Sequence, residues 1–130
     1  MITYAWRGPF TNPELSALHA EGFGGQPRAH TQPRLCSFTW ARQSCARDGA
    51  ELAGFVNVAW DGNAHAFLLD TLVAARLRRQ TVGTALVALA AGQARAAGCQ
   101  WLHVDFEDHL RPFYFGGCGF KPTNAGLIAL

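Results

Sequence analysis

Between Ala64 and Ala74 the stretch AHAFLLDTLVA is apolar at nearly every position, except for one polar pair, Asp70-Thr71. An apolar run of this length predicts a strand buried on both faces. A polar pair inside it predicts either a β-bulge or a carboxylate kept there for function. From Val82 the period changes. Val82, Ala85, Leu86, Leu89, Ala90, Gln93 and Ala97 recur at helical spacing as far as Gly98. That spacing predicts a helix over 82–97, with the glycine as its stop. CQWLHVDF, residues 99–106, returns to strand-like alternation with His103 and Asp105 on one face. Two strands joined through a helix call for parallel pairing by a right-handed crossover.

The remaining pattern fills in around this unit. MITYAWRG reads as a first strand, and NPELSALHAEGFGG as a helix with Asn12 as N-cap, Pro13 at the first helical position and Gly22 at its end. GGQPRAHTQPR, residues 24–34, has the glycine and proline content of a loop. LCSFTWARQ (35–43) and ELAGFVNVAW (51–60) read as strands joined by a turn at Asp48-Gly49, with a second turn at residues 61–63. Short turns make these strands antiparallel. DHLRPFYFGG (108–117) reads as a short helix and GFKPTNAGLIAL (119–130) as a final strand. The order is β-α-loop-β-β-β-α-β-α-β. The expected class is α/β, a central mixed antiparallel and parallel sheet with flanking helices, in one domain over residues 1–130.

Composition narrows the function. A chain of 130 residues, 49% apolar and 15% charged, is long enough to bury a core without staples. Its net charge of +2 gives no reason to expect nucleic acid or an anionic membrane as partner. No apolar run approaches the length of a membrane span, and the N-terminal stretch lacks the pattern of an export signal. Cys36, Cys45, Cys99 and Cys118 lack metal-ligand spacing. Reduced thiols and a cytoplasmic location are the expectation, with no metal site.

Positive charge matters where it clusters. In RLRRQTVGTALVALAAG, Arg76, Arg78 and Arg79 stand just before the start of a helix, an end that already carries partial positive charge. A strand-loop-helix junction with a glycine at the helix start offers unpaired N–H groups to an anion. Gly83 would give close approach, Thr81 and Thr84 would add hydroxyl donors, and Arg78 and Arg79 would flank the anion. Neither a Walker loop nor a dinucleotide fingerprint is present.

The loop resembles the acyl-CoA pyrophosphate loop of the GNAT N-acetyltransferase superfamily, whose signature [QR]-x-x-G-x-[GA] reads here Gln80-Thr81-Val82-Gly83-Thr84-Ala85. The strand WLHVDF, a helix carrying a tyrosine in RPFYF, and Gly119-Phe120 follow in the family's order, so the resemblance spans residues 50–130. It implies the GNAT fold and acetyl-CoA as acyl donor. The backbone of Leu72, Val73 and Ala74 would pair with the pantetheine arm where two parallel strands splay apart. The segment Arg78, Arg79, Gln80, Thr81, Val82, Gly83, Thr84 would cradle the pyrophosphate. The acceptor amine would attack the thioester directly in a ternary complex, which needs no nucleophilic residue.

The same resemblance implies a tyrosine as general acid, here Tyr114. It lies five residues before Gly119 where the family commonly has four, and Gly116-Gly117 gives room for the extra residue. The asparagine often found about seven residues before that tyrosine is absent. For the base, Asp70 comes first because it interrupts an apolar strand, a costly position. The alternative is a carboxylate satisfied by backbone at a bulge. Glu107 and Asp108 come second and His103 third. The acceptor, a primary amine of a small molecule or peptide, would meet the first helix, the 24–34 loop and the end of the third strand. His19, Glu21, Phe23, His30 and Trp60 lie there, with Glu14, Glu21 and Asp61 as acidic groups for an ammonium. A homodimer is common in the family. A second reading is a catalytically weak acyl-CoA-binding sensor or partner-binding module.

Overall fold

The computed structural model describes residues 1–23 and 41–130. Five strands form one sheet in sequence order: β1 (Ile2–Trp6), β2 (Ala41–Asp48), β3 (Glu51–Trp60), β4 (His65–Val73) and β5 (Trp101–Val104). Strands β1 to β4 are antiparallel neighbours. β4 and β5 run parallel, with helix α2 (Val82–Ala96) between them in the chain. Helix α1 (Asn12–Phe23) joins β1 to the rest. This is the expected mixed sheet with flanking helices. The 24–34 loop, His30 and Cys36 lie outside the described residues. So does most of the strand expected over 35–43, and β2 runs on to Asp48 instead.

The turns follow from local chemistry. Gly49 takes φ +60° at the β2–β3 turn, a conformation that favours glycine. At the next turn the Asp61 carboxylate accepts the N–H groups of Asn63 and His65 at 2.7 and 3.1 Å, the local pairing that makes Asp a turn residue.

The sheet has two covered faces. On one, α2 packs Val82, Leu86, Val87 and Ala90 against Ala46, Val56, Val58, Ala66 and Leu68. On the other, Leu15 and Leu18 of α1 meet Cys45, Leu52, Phe55 and Leu72. Strand β4 serves both faces because it changes parity partway along. Leu69 pairs with Asn57 and Leu72 with Phe55, which leaves Asp70 and Thr71 together opposite Val56. That is the β-bulge expected from the polar pair. Asp70 sits there at φ +46°, a left-handed conformation that Asp tolerates better than most residues. Before the bulge Ala66 and Leu68 face α2; after it Leu72 faces α1.

The expectation that β4 is buried on both faces fails before the bulge. Phe67 and Leu69 are 43% and 40% exposed, because α1 meets β4 at its C-terminal end, around Leu72.

Both ends of α1 differ from simple expectation in instructive ways. The N-cap of α1 is Thr11 and not Asn12. The Thr11 N–H and hydroxyl donate to the Glu14 carboxylate at 2.7 and 2.9 Å, and the Glu14 N–H returns a 3.4 Å bond to the hydroxyl. This is a capping box, readable as T-x-x-E. Gly22 does not stop α1 but lies inside it, where a Cβ would come within 2.8 Å of Leu72 Cδ2. Gly98 does stop α2, at φ +94°, with the Cys99 N–H reaching back to the Ala94 carbonyl at 3.0 Å.

The end of the chain departs further. After a 3₁₀ turn at Asp108–Leu110, residues Pro112–Gly117 form a π-helical turn. The expected final strand does not form: residues 119–130 carry no regular structure, and Leu127, Ile128 and Leu130 are exposed. Pro122, Asn124 and Gly126 are poor strand formers, and a proline cannot donate to a ladder. Among the described residues β5 therefore keeps its outer edge unpaired.

Candidate active site

The pairing of β4 with β5 runs from His65–Trp101 to Leu68–Val104 and stops. The bulge begins two residues later and bends the strand. Beyond it Leu72 and Val73 have β3 on one side and no β5 partner on the other. A gap therefore opens between the end of β4 and the segment following β5.

Alternation decides which backbone groups face that gap. The Ala74 N–H donates to Ala53 at 2.9 Å, and the Ala74 carbonyl accepts Leu77 at 2.8 Å. Leu72 stands in register with Phe55 on β3. Val73, between them, turns its peptide groups away from β3. Its carbonyl accepts from Arg78 Nε at 3.2 Å. Of the three backbone positions expected to meet a pantetheine arm, Val73 faces the gap, whereas Ala74 is occupied by its own chain.

The three arginines before α2 separate in role. Arg76 has its anions within the protein: Asp48 at 2.6 Å and Glu51 at 2.8 Å, on the β2–β3 turn. These carboxylates raise its pKa further. Arg78 bridges the Val73 carbonyl and, through Nη2, the Glu21 carbonyl at 2.9 Å. Arg79 is exposed, at φ +64°, with no side-chain bond or ion pair among the described residues. Gln80 donates to the Arg76 carbonyl at 3.0 Å, which ties the turn together.

Thr81 precedes α2 at φ +66° and gives no side-chain cap. The first helical bond runs from Ala85 to the Thr81 carbonyl at 2.9 Å. The N–H groups of Val82, Gly83 and Thr84 are therefore left without intrahelical partners. No acidic residue occupies this first turn. Donors without intrahelical partners, the positive end of a helix and the unpaired Arg79 are the features that would favour an anion here. Gly83 contributes differently from expectation. Its missing Cβ faces inward, where it would come within 3.1 Å of the Phe113 ring and 3.4 Å of Val73. The glycine lets α2 approach Phe113 and Val73, and the room it makes is not for the anion.

Tyr114 is 6% exposed, stacked on Phe106 at 4.5 Å between ring centres and edge-on to Phe113 and Phe120. Its hydroxyl meets the Thr71 side chain, in the bulge. Burial pushes its pKa up, and the Thr71 hydrogen bond opposes that shift. The phenol is therefore protonated throughout the neutral range. Asp105, just past β5, lies close enough to raise it further. The π-turn sets this position. The Cys118 N–H reaches the Phe113 carbonyl and the Phe120 N–H reaches the Tyr114 carbonyl, at 2.9 and 3.0 Å, so one extra residue is taken up between Tyr114 and Gly119. Thr71 and Asp105 were visible only as interruptions of apolar strands; their shared approach to Tyr114 needs the fold.

The proposed bases fare unequally. Asp70 stands beside Thr71 at the mouth of the gap, half-buried, with no hydrogen bond or ion pair among the described residues. Glu107 is exposed and pairs with His109 at 3.3 Å, and Asp108 pairs with Arg111 at 2.6 Å. Neither is brought to Tyr114. His103 Nε2 lies 2.7 Å from His65 Nδ1, across the strand pair. The acidic groups expected to hold an ammonium are committed elsewhere. Glu14 is held by Arg47 at 3.0 Å, Glu21 accepts the Ala75 N–H at 2.8 Å, and Asp61 closes its turn. Trp60 donates to the Asn63 carbonyl at 3.0 Å, and His19 packs on Phe23.

Among the described residues no helix is long and apolar enough to cross a membrane, and no group of three ligating side chains is placed to hold a metal ion. A cavity of about 240 Å³ lies between α2 at Thr84 and Val87, Leu102 on β5, and Gly117–Phe120.

The sequence pattern of the Acetyltransferase (GNAT) family matches residues 4–120. No curated protein matches the sequence. A GNAT-family acetyltransferase from Streptococcus pneumoniae shares the fold at a TM-score of 0.80, with 19% identity over 100% of this chain and 98% of that one. An aminoglycoside N-acetyltransferase in complex with CoA gives 0.79, with 15% identity over 100% and 94%. Glucosamine-6-phosphate N-acetyltransferase from Arabidopsis thaliana gives 0.75, with 14% identity over 98% of each chain.

Proposed function

Because the chain belongs to the acetyltransferase (GNAT) family, we propose that residues 1–130 form one acetyltransferase domain moving an acetyl group from acetyl-CoA to a primary amine. The observation that carries this reading is one juxtaposition. An uncapped helix N-terminus, a strand backbone at Val73 that turns away from β3 and is bonded only by Arg78, and a buried, protonated tyrosine lie along one gap in the sheet. Val82, Gly83, Thr84 and Arg79 would hold the donor's pyrophosphate, and Val73 its pantetheine amides. Arg78 must then exchange the Val73 carbonyl for the ligand.

Acetyl-CoA supplies an activated acyl carbon and a thiolate leaving group. Asp70 takes the proton that the acceptor's ammonium must lose before the free amine can attack the acyl carbon, directly or through one water. Tyr114 gives its proton to the thiolate sulfur as the C–S bond breaks, and Thr71 holds the phenol in place. Two of the similar structures are of enzymes of an aminoglycoside and of glucosamine-6-phosphate, which supports a small-molecule amine as acceptor; a peptide amine is the other candidate. Thiols held outside disulfides at Cys99 and Cys118 go with a cytoplasmic site of action. A homodimer would pair through the open edge of β5 and the exposed Leu127–Leu130 segment.

The test is amine-dependent release of free CoA thiol from acetyl-CoA, with acetylated product identified by mass. Release that depends on both amine and Tyr114 supports the transferase. Tight CoA binding without release across a broad amine panel supports the sensor instead.

A further inference from the structure

The side chain of Asn57 is 5% exposed and makes no hydrogen bond among the described residues. A carboxamide has two donor positions and a double acceptor, and folded interiors rarely leave such a group unpaired. The other buried polar side chains behave as expected: Ser44 donates to the Leu86 carbonyl at 3.2 Å, and Ser16 has a partner. Asn57 therefore needs a different explanation.

Its position supplies one. Along β3, Val56 and Val58 face α2 while Phe55 faces α1, so alternation puts Asn57 on the α1 face. Its cross-strand neighbours are Gln43 on β2 and Leu69 on β4, both neutral. Gln43 likewise makes no side-chain hydrogen bond among the described residues. Leu69 is the last β4 residue before the bulge, so Asn57 stands one strand spacing, roughly 5 Å, from β4 beside Asp70, with β4 between it and the gap. On the same face Phe67 is open to solvent with the His103 ring stacked on it, 4.7 Å between centres and 16° between planes. Tyr114 packs with the α2-side core on the opposite face. An amine approaching Asp70 over the α1 face would pass Asn57.

We propose that Asn57 is a specificity-determining residue of the acceptor site, and that the acceptor is a primary amine bearing a neutral carboxamide beside the amino group. A carboxamide matches another carboxamide in both donor and acceptor, whereas a phosphate would find no positive charge on Asn57, Gln43 or Leu69. The Phe67–His103 stack takes the apolar part of the same molecule. This proposal rests on the acetyltransfer reading above.

The test uses phenylalaninamide and 2-phenylethylamine, which differ by the carboxamide, with wild type and Asn57→Leu. The readout is the change in each kcat/KM between the two proteins, so that the different basicity of the amines cancels. Asn57→Leu is expected to lower kcat/KM for phenylalaninamide roughly tenfold or more, through KM. It is expected to leave 2-phenylethylamine within about twofold and the affinity for CoA unchanged. Equal losses on both amines, no loss on either, or no turnover of phenylalaninamide by protein that binds acetyl-CoA would each overturn the proposal. Failure to bind acetyl-CoA at all is a separate result, and it would remove the acetyltransfer reading with it.

Discussion

Arg78 lies across the end of β4 with its Nε on the Val73 carbonyl at 3.2 Å. Its Nη2 reaches the Glu21 carbonyl of α1 at 2.9 Å, so the arginine covers the stretch of strand that the donor would use. Arg78→Ala is expected to raise KM for acetyl-CoA about tenfold with little change in kcat, the loss of one charge-assisted contact. Arg78→Lys is expected to restore only part of it, since a lysine cannot reproduce the planar fork. Steady-state kinetics at varied acetyl-CoA checks both.

Tyr114→Phe removes the proton donor while keeping the ring packed on Phe106. The variant is expected to lose about 10²-fold or more in kcat, the usual scale for a general acid, with CoA affinity unchanged. The pH profile carries a sign. Because burial raises the Tyr114 pKa above its ordinary value of 10.0, the acid stays loaded at neutral pH, and wild-type activity that depends on it falls only in the strongly alkaline range. A neutral-range loss of activity belongs to another group.

Asp70 has two separable duties, the left-handed backbone of the bulge and the carboxylate. Asp70→Asn keeps the first and deletes the second, so it is expected to fold normally and lose about 10²-fold in kcat/KM. Asp70→Val is expected to unfold more easily, because a β-branched residue resists φ +46°. Thermal melts read alongside kinetics separate the two.

The clamp between Glu14 and Arg47 gives a pH dependence of stability. Hydrogen bonds from Arg47 and Thr11 hold the Glu14 carboxyl down at about 2, against 4.5 without them. A depressed folded-state pKa stabilises the native state above the unfolded value, and that stability is lost as pH falls from 4.5 towards 2. Glu14→Gln is expected to cost about 1 kcal/mol at neutral pH, after screening at this partly exposed site. The two proteins should converge in acid. Unfolding midpoints measured across that range check it.

Much of the site was legible because its signals are local. The polar pair in the β4 run announced the bulge, and Gly98 announced the end of α2. The Gln80–Ala85 pattern announced the family whose sequence pattern matches residues 4–120. What escaped depended on distant partners. Arg76 reads like its neighbours until Asp48 and Glu51 are seen beside it. Gly83 looks like room for a ligand, yet the Phe113 ring fills the space over it. Thr71 acquires its role only when the π-turn brings Tyr114 to it. The apolar tail after Phe120 suggested a strand, but its proline, asparagine and glycine deny it a ladder and it has no strand partner among the described residues. Asn57 is an ordinary strand residue in the sequence; its lack of a partner among the described residues is a property of the folded sheet.

The central claim is that the gap beside β4 holds acetyl-CoA, and thermal unfolding with and without excess acetyl-CoA tests it most directly. Ligand at about 100 times its dissociation constant stabilises the native state by roughly 2.7 kcal/mol, which for a domain of this size raises the midpoint by several degrees. The account predicts that rise in wild type, and a clearly smaller one when Gly83→Val displaces α2 from Phe113. No shift at saturating acetyl-CoA would contradict it, and the uncapped start of α2 would then need another anion.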